Sequence, residues 1–125
     1  MIHLDTSFLI RALPRSSSED RRLRAWLKAG EPLAMSTVSW AEFLCGPVGA
    51  REIELAARIL GDPVSFVAAD AALTARLFNL TGRRRGSMTD CMIAATAIRA
   101  GAPLATADRA DFRRFEPAGL ALVAD

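Results

Sequence analysis

Residues 1–14, MIHLDTSFLIRALP, carry the pattern that decides the fold class. Ile2–Asp5 is a short apolar run that ends in an acid, and it predicts a buried β-strand. Ser7–Leu13 is predicted to form a helix that stops at Pro14, because proline cannot continue a helix. The chain therefore opens with a strand followed by a helix, which is typical of α/β folds.

Strands and helices alternate along the rest of the chain. Four more strands are predicted, at Leu33–Ser36, Ser65–Ala68, Pro103–Thr106 and Leu120–Val123. The other predicted helices are Ser17–Ala29, Ser39–Cys45, Ala50–Leu60, Ala71–Thr81 and Thr89–Ala100. The strands are short apolar runs without strict alternation, which suits a parallel sheet covered on both faces. We predict an α/β fold of three layers, α/β/α, around a central and mainly parallel sheet.

Two patterns mark the starts of helices. Ser16 and Glu19 have the spacing of a capping box at the start of the second helix. Asp70 is placed to cap the helix that begins at Ala71.

The composition excludes several classes of protein. At 125 residues, the chain is expected to form a single domain, residues 1–125. No apolar run approaches the roughly 20 residues that cross a membrane, and no secretory cleavage signal is present, so we expect a cytoplasmic protein without membrane association. The one histidine, His3, lies in the first predicted strand, which argues against a Ser-His-Asp or Cys-His mechanism. Cys45 and Cys91 are expected to be small core residues.

Four acids fall near the edge where parallel sheets bind ligands, beyond the carboxyl ends of the strands. Asp5 ends the first strand, and Glu42 lies about one and a half helical turns into the region after the second. Asp108 lies two residues beyond Pro103–Thr106. Asp90 is in the first turn of a helix whose N-terminus can face the same edge.

Each acid also has a purely structural explanation. Asp5 can cap the helix that begins near Ser7, and Asp108 can cap a short helix after it. Glu42 and Asp90 each follow a serine at capping-box spacing. As a set, however, carboxylates repel, since a pair about 4 Å apart costs on the order of 4 kcal/mol at an effective dielectric of about 20. A divalent cation offsets such repulsion, and carboxylate and water ligands suit Mg²⁺ or Mn²⁺.

Small hydroxyl side chains flank these acids. Thr6, Ser7 and Thr106 can hydrogen-bond carboxylates or metal-bound water, and they can equally make local turn and cap bonds. A bound divalent ion would lower the pKa of a water ligand and neutralise charge on a phosphate. One ion and two ions both remain possible.

Four segments together resemble a known family. They are LDTSFLI (4–10), STVSWAEFLCG (36–46), TDCMIAATAIRAG (89–101) and LATADRADF (104–112). In this order and spacing they resemble PIN-domain ribonucleases, and within that family the chain is most similar to the VapC-type toxins of bacterial toxin–antitoxin pairs. The resemblance covers nearly the whole chain.

The resemblance implies a Mg²⁺- or Mn²⁺-dependent endoribonuclease on a three-layer α/β/α fold. The acidic quartet of the family falls on Asp5, Glu42, Asp90 and Asp108. Asp5 and Asp90 would be the principal metal ligands, Glu42 would bind directly or through water, and Asp108 would complete the cluster. Thr106 would be a supporting hydroxyl.

Two positions bear on how well the chain matches the family pattern. Ser7 stands where many members have asparagine after Asp-Thr, although serine also occurs there. Asp111 lies in the same segment as Asp108, and it can either pair with Arg113 or Arg114 or contribute to the site.

The resemblance also implies partners. Related toxins cut structured RNAs such as tRNA or ribosomal RNA, and a VapB-type antitoxin holds them inactive. Its C-terminal segment wraps the toxin and can reach the acidic pocket with a basic side chain. Homodimerisation is expected by the same analogy, and Leu55, Ile59 and Leu77 offer apolar helix faces for it.

The charge balance suits a polyanionic substrate. With the quartet set aside, the 16 basic residues exceed the remaining acidic ones by six, from totals of 16 and 14. Arg83, Arg84 and Arg85 form the densest basic cluster, between two glycines and shortly before Asp90. This cluster is expected in a mobile loop, either in contact with RNA phosphates or simply solvated.

Two other function classes are open to a chain with an acid after its first strand. A haloacid-dehalogenase-like phosphatase needs a second aspartate two residues after the first, but that position is Ser7, and Lys28 is the only lysine. A catalytically weak or inactive PIN-like module that acts through protein binding remains the alternative to the nuclease.

Overall fold

The first predicted strand is the central strand of the sheet in a computed structural model of the chain, which describes residues 1–124. β1 (Ile2–Leu4) pairs in parallel with β2 (Leu33–Ala34) on one side and β3 (Leu104–Ala105) on the other. Ile2 lies opposite Leu33, and Leu4 lies opposite Ala105. All residues of these strands are buried, as expected for a parallel sheet covered on both faces.

Helices cover both faces of this sheet. They are α1 (Thr6–Ala12), α2 (Ser18–Lys28), α3 (Thr37–Leu44), α4 (Ala50–Leu60), α5 (Ala68–Leu80), α6 (Met88–Ala100), α7 (Arg109–Phe112) and a 3₁₀ helix at Arg113–Ala118. One core cluster joins the sheet to α1, α2 and α4 around the buried Phe8. A second joins it to α5, α6 and the 3₁₀ helix around Phe115. The predicted three-layer α/β/α fold is therefore confirmed.

Capping side chains fix the starts of the early helices. Asp5 accepts a hydrogen bond from the backbone N–H of Phe8 at 2.9 Å and so begins α1. The N-cap of α2 is Ser17 rather than Ser16: the Ser17 hydroxyl accepts from the Asp20 N–H, and the Asp20 carboxylate accepts from the Ser16 N–H. The predicted Ser16–Glu19 capping box was therefore one residue out of register.

The predicted strand Ser65–Ala68 is wrong. In that region only Val64 makes a bridge, to Ser36. α5 begins at Ala68 because the Asp70 carboxylate accepts from the Val67 N–H at 3.0 Å, so Asp70 lies inside the first turn and not ahead of it. Asp70 is fully buried and pairs with Arg99 at 2.5 Å, which ties α5 to α6.

The predicted strand Leu120–Val123 is reduced to a single parallel bridge, between Leu122 and Leu104.

The two cysteines, both expected in the core, differ in burial. Cys91 is a core residue as predicted, whereas Cys45 is exposed because it caps the C-terminus of α3 at the surface. None of the helices within residues 1–124 has both the length and the apolar character needed to cross a membrane.

Candidate metal centre

The four predicted acids line one pocket of about 280 Å³. Asp5 directly follows β1, and Asp108 follows β3. Glu42 is carried by α3, which follows β2, and Asp90 lies in the first turn of α6. Carboxylates that are distant in sequence thus meet beyond the carboxyl ends of the parallel strands.

Asp5 is the most deeply held of the four acids. Its side chain accepts the Ser7 hydroxyl at 2.8 Å, the Phe8 N–H at 2.9 Å and the Thr106 hydroxyl at 2.5 Å. Burial nevertheless raises the pKa of Asp5 to about 6, with a further contribution from the charge of Asp108. Asp5 therefore caps a helix, as the structural explanation proposed, and also lies in the pocket with the other acids.

The supporting hydroxyls join the β3 loop to Asp5. Thr106 donates to Asp5 and accepts from the Asp108 N–H at 2.9 Å. Ser7 accepts from the Ala107 N–H at 3.1 Å and lies 3.3 Å from the Thr106 hydroxyl. These bonds fix the segment that carries Asp108 relative to the end of β1.

Glu42 is exposed and is held by one hydroxyl. The Thr6 hydroxyl donates to Glu42 Oε1 at 2.9 Å and also lies 3.1 Å from the Ser39 carbonyl. Glu42 does not form a capping box with Ser39, because Ser36 caps α3 and Ser39 lies within the helix. Its carboxylate is therefore available to the pocket.

Asp90 is half-buried and carries an ion pair. The nearest atoms are Asp90 Oδ2 and Arg114 Nη2, 3.5 Å apart. Burial raises the pKa of Asp90, opposed by Arg114 and reinforced by the charges of Asp111, Glu42 and Asp108. Ser87 precedes α6 but donates its hydroxyl to the Arg84 carbonyl, so no capping box with Asp90 forms.

The donors present suit a hydrated divalent cation. Among residues 1–124, no three carboxylate, thiol or imidazole groups converge closely enough to enclose an ion. Mg²⁺ ordinarily keeps several water ligands and takes only one or two carboxylates, so it does not need such an enclosure. Four carboxylates and a neighbouring hydroxyl on one open pocket are the oxygen donors that Mg²⁺ and Mn²⁺ prefer.

Comparison with protein families identifies the chain. The family model for the PIN domain matches residues 2–116. The chain belongs to the PIN domain family. No curated protein matches it in a sequence search.

Solved structures resemble this PIN domain over almost its whole length. VapBC-1 from nontypeable Haemophilus influenzae matches with a TM-score of 0.75 and 23% identity, covering 98% of this chain and 97% of that one. VapBC2 from Rickettsia felis, bound to a DNA fragment from their promoter, matches with a TM-score of 0.74 and 20% identity, covering 98% of both chains. FitAcB from Neisseria gonorrhoeae matches with a TM-score of 0.73 and 22% identity, covering 99% of this chain and 97% of that one. At these identities the likeness shows a shared fold.

Sequence reasoning missed the other residues of the PIN pocket. Ile93 lies three residues after Asp90, on the same side of α6, and it lines the pocket with Ile10 and Phe112. The spacing of three residues from Asp90 on a predicted helix could have indicated Ile93 from the sequence. Arg114 pairs with Asp90, whereas the sequence had offered Asp111 as its partner, and no local pattern indicated the pairing.

The cluster Arg83–Arg85 lies in the loop between α5 and α6, and all three residues are exposed. Within residues 1–124, the side chains that line the acidic pocket do not include these arginines. Arg83 has a positive φ of 55°, donates to Asn79 and lies over the Phe78 ring at 5.4 Å. The cluster is therefore separate from the pocket wall, on the loop that leads into the helix of Asp90.

Proposed function

We propose that this PIN domain is a Mg²⁺- or Mn²⁺-dependent endoribonuclease and the toxin of a toxin–antitoxin pair. The observation that carries the proposal is the meeting of Asp5, Glu42, Asp90 and Asp108 in one pocket. Repelling carboxylates are stabilised there by a divalent cation. The reaction is hydrolysis of an RNA phosphodiester in the cytoplasm.

We assign the metal to Asp5 and Asp90 as principal ligands, with Glu42 binding directly or through water and Asp108 completing the cluster. When bound, the ion polarises a phosphate oxygen and lowers the pKa of water. The protein's own contribution is orientation. Thr106 and Ser7 hold the Asp5 carboxylate from two sides, and Thr6 holds Glu42 toward the site, where it can orient an attacking water molecule.

Cleavage of total tRNA and ribosomal RNA by purified, antitoxin-free protein tests this assignment. Discrete fragments are expected with Mg²⁺ or Mn²⁺ and not with EDTA. Asp5→Asn and Asp90→Asn should each lower the cleavage rate by at least about 100-fold, because each removes a charged oxygen ligand. Asp62→Asn, an exposed acid outside the pocket, is the matched control and should keep full activity.

Either of two results would contradict the assignment of the metal centre: cleavage that persists in EDTA, or full activity in folded Asp5→Asn. Folded wild-type protein that cuts none of these RNAs would favour the alternative, a PIN module that acts through protein binding.

The cluster Arg83–Arg85 is proposed to contact RNA phosphates. Its three guanidinium groups are exposed on the loop that precedes α6, and Asp90 lies in the first turn of that helix. Arginine offers a planar fork that matches phosphate. RNA bound at the pocket is proposed to extend over this loop.

Substitution of all three arginines by glutamine should weaken RNA binding and flatten its salt dependence. Each lost phosphate contact to single-stranded RNA lowers the slope of log K against log salt by about 0.7, so a change of about two is expected. Fluorescence anisotropy in an Asp5→Asn background measures binding without cleavage. A control with Arg51, Arg58 and Arg76 changed to glutamine loses the same charge elsewhere, and an equal effect in both triples would refute a specific role.

The antitoxin partner is proposed to occupy an apolar groove between α1, α2 and α4. The solved structures similar to this chain include VapBC structures and a toxin–antitoxin complex from Klebsiella pneumoniae, which supports a VapB-type partner for this chain. The groove has a volume of about 280 Å³. Its lining residues are Leu9, Ala12, Leu13, Asp20, Leu23, Arg24, Leu27, Leu55, Ala56 and Ile59.

Homodimerisation is also proposed, but not through all of the expected residues. Leu77 is a fully buried residue of α5 within the second core cluster, so it cannot form a dimer face. Leu55 is exposed, and Ile59 lies beside it in the antitoxin groove. Light scattering of the isolated chain measures its oligomeric state.

Leu55→Glu should weaken binding of a co-expressed VapB-type antitoxin at least tenfold, because it places a charge in an apolar contact. Leu80→Glu is the matched control, since Leu80 is 65% exposed and lies outside the groove. Affinity is measured by titration of the purified partners. Equal binding by both variants would contradict the assignment of the groove.

A further inference from the structure

Arg114 is held in place beside the acidic pocket. It lies in the 3₁₀ helix Arg113–Ala118, which follows α7 and therefore belongs to the segment that carries Asp108. Its guanidinium lies 4.7 Å over the ring of Phe115, a side chain with no exposed surface. Only 16% of the Arg114 side chain is exposed, so its charge is fixed rather than free in solvent.

This fixed charge faces one of the pocket carboxylates. Arg114 Nη2 lies 3.5 Å from Asp90 Oδ2, and Asp90 lines the pocket with Asp5, Glu42 and Asp108. Arg114 itself is not among the lining residues within the described chain. It therefore acts on the pocket through Asp90 and through its electrostatic field.

We propose that Arg114 is a built-in counter-charge that limits how tightly the acidic pocket binds a divalent cation. The inference rests on the proposed metal-dependent function. Arg114 engages an oxygen of a metal-ligand carboxylate, and its positive charge repels an incoming cation. Both effects oppose metal binding.

The alternative role for Arg114 is to orient Asp90 for the metal, and the geometry gives it less weight. The nearest atoms of Arg114 and Asp90 are 3.5 Å apart, which is longer than a good hydrogen bond, and the Asp90 side chain is 32% exposed. Such a contact orients weakly. A fixed unit charge near a doubly charged ion, by contrast, interacts strongly in a partly buried site. Removal of the charge should therefore tighten metal binding rather than loosen it.

Calorimetric titration of Mn²⁺ into the full chain tests the role of Arg114 without reference to activity. Arg114→Gln and Arg114→Met both remove the charge, and each should bind Mn²⁺ at least about fivefold more tightly than wild type. Arg114→Lys keeps a positive charge and should restore affinity toward the wild-type value. Arg113→Gln changes an exposed neighbour in the same helix and should stay within about twofold of wild type.

The sign of the change separates the outcomes. Unchanged or weaker Mn²⁺ binding in the charge-removing variants would overturn the inference, and damage to the fold would weaken binding rather than tighten it. Arg114→Met preserves packing on the Phe115 ring, and it is the variant to measure if Arg114→Gln fails to fold. Wild-type binding that is lost in Asp5→Asn, together with unchanged affinity in both Arg114 variants, would overturn only the role of Arg114. No Mn²⁺ binding by wild type would overturn the metal centre and this inference with it.

Discussion

The carboxylate of Asp5 lies at the end of the central strand with 3% of its surface exposed, held by three donors and opposed by the charge of Asp108. The same side chain begins α1 through its bond to Phe8, so one residue links the sheet, the first helix and the pocket. Burial disfavours its charged form, and hydrogen bonds recover only part of that loss. The fold therefore carries an electrostatic cost at this edge of the sheet.

The loop after β3 shares this constraint. Thr106 bonds both Asp5 and the Asp108 backbone, which holds two repelling acids within one hydrogen-bonded unit. The segment then continues into the 3₁₀ helix that brings Arg114 to Asp90. The pocket acids and Arg114 are thus carried by elements that pack against the core. This packing preorganises the pocket before any cation binds. Stability given up at such a site is a common cost of function.

Much of the pocket could be predicted from the sequence, because the carboxyl ends of parallel strands meet at one edge and mark their acids as neighbours. Predictions failed where tertiary contacts outweighed local pattern. The apolar run Ser65–Ala68 suited a strand, but the carboxylate of Asp70 caps a helix that begins at Ala68 and pairs with Arg99 of α6. The pairing of Arg114 with Asp90 depends on how the 3₁₀ helix packs, which no local spacing encodes. The catalytic roles of the four acids stay predictions.

Chemical unfolding of wild type and Asp5→Asn, followed across pH, tests the central claim that the fold holds a destabilised carboxylate which a cation relieves. Because the folded pKa of Asp5 is raised from 3.8 to about 6, its contribution to stability is present below pH 3.8 and lost as pH rises through about 6. In EDTA, wild type should lose about 2 to 3 kcal/mol of stability relative to Asp5→Asn as the pH rises from 4 to 7.5, because only wild type has the carboxyl that must ionise. Saturating Mn²⁺ should stabilise wild type and not the variant. A stability difference between the two proteins that stays constant from pH 4 to pH 7.5 in EDTA would contradict the account.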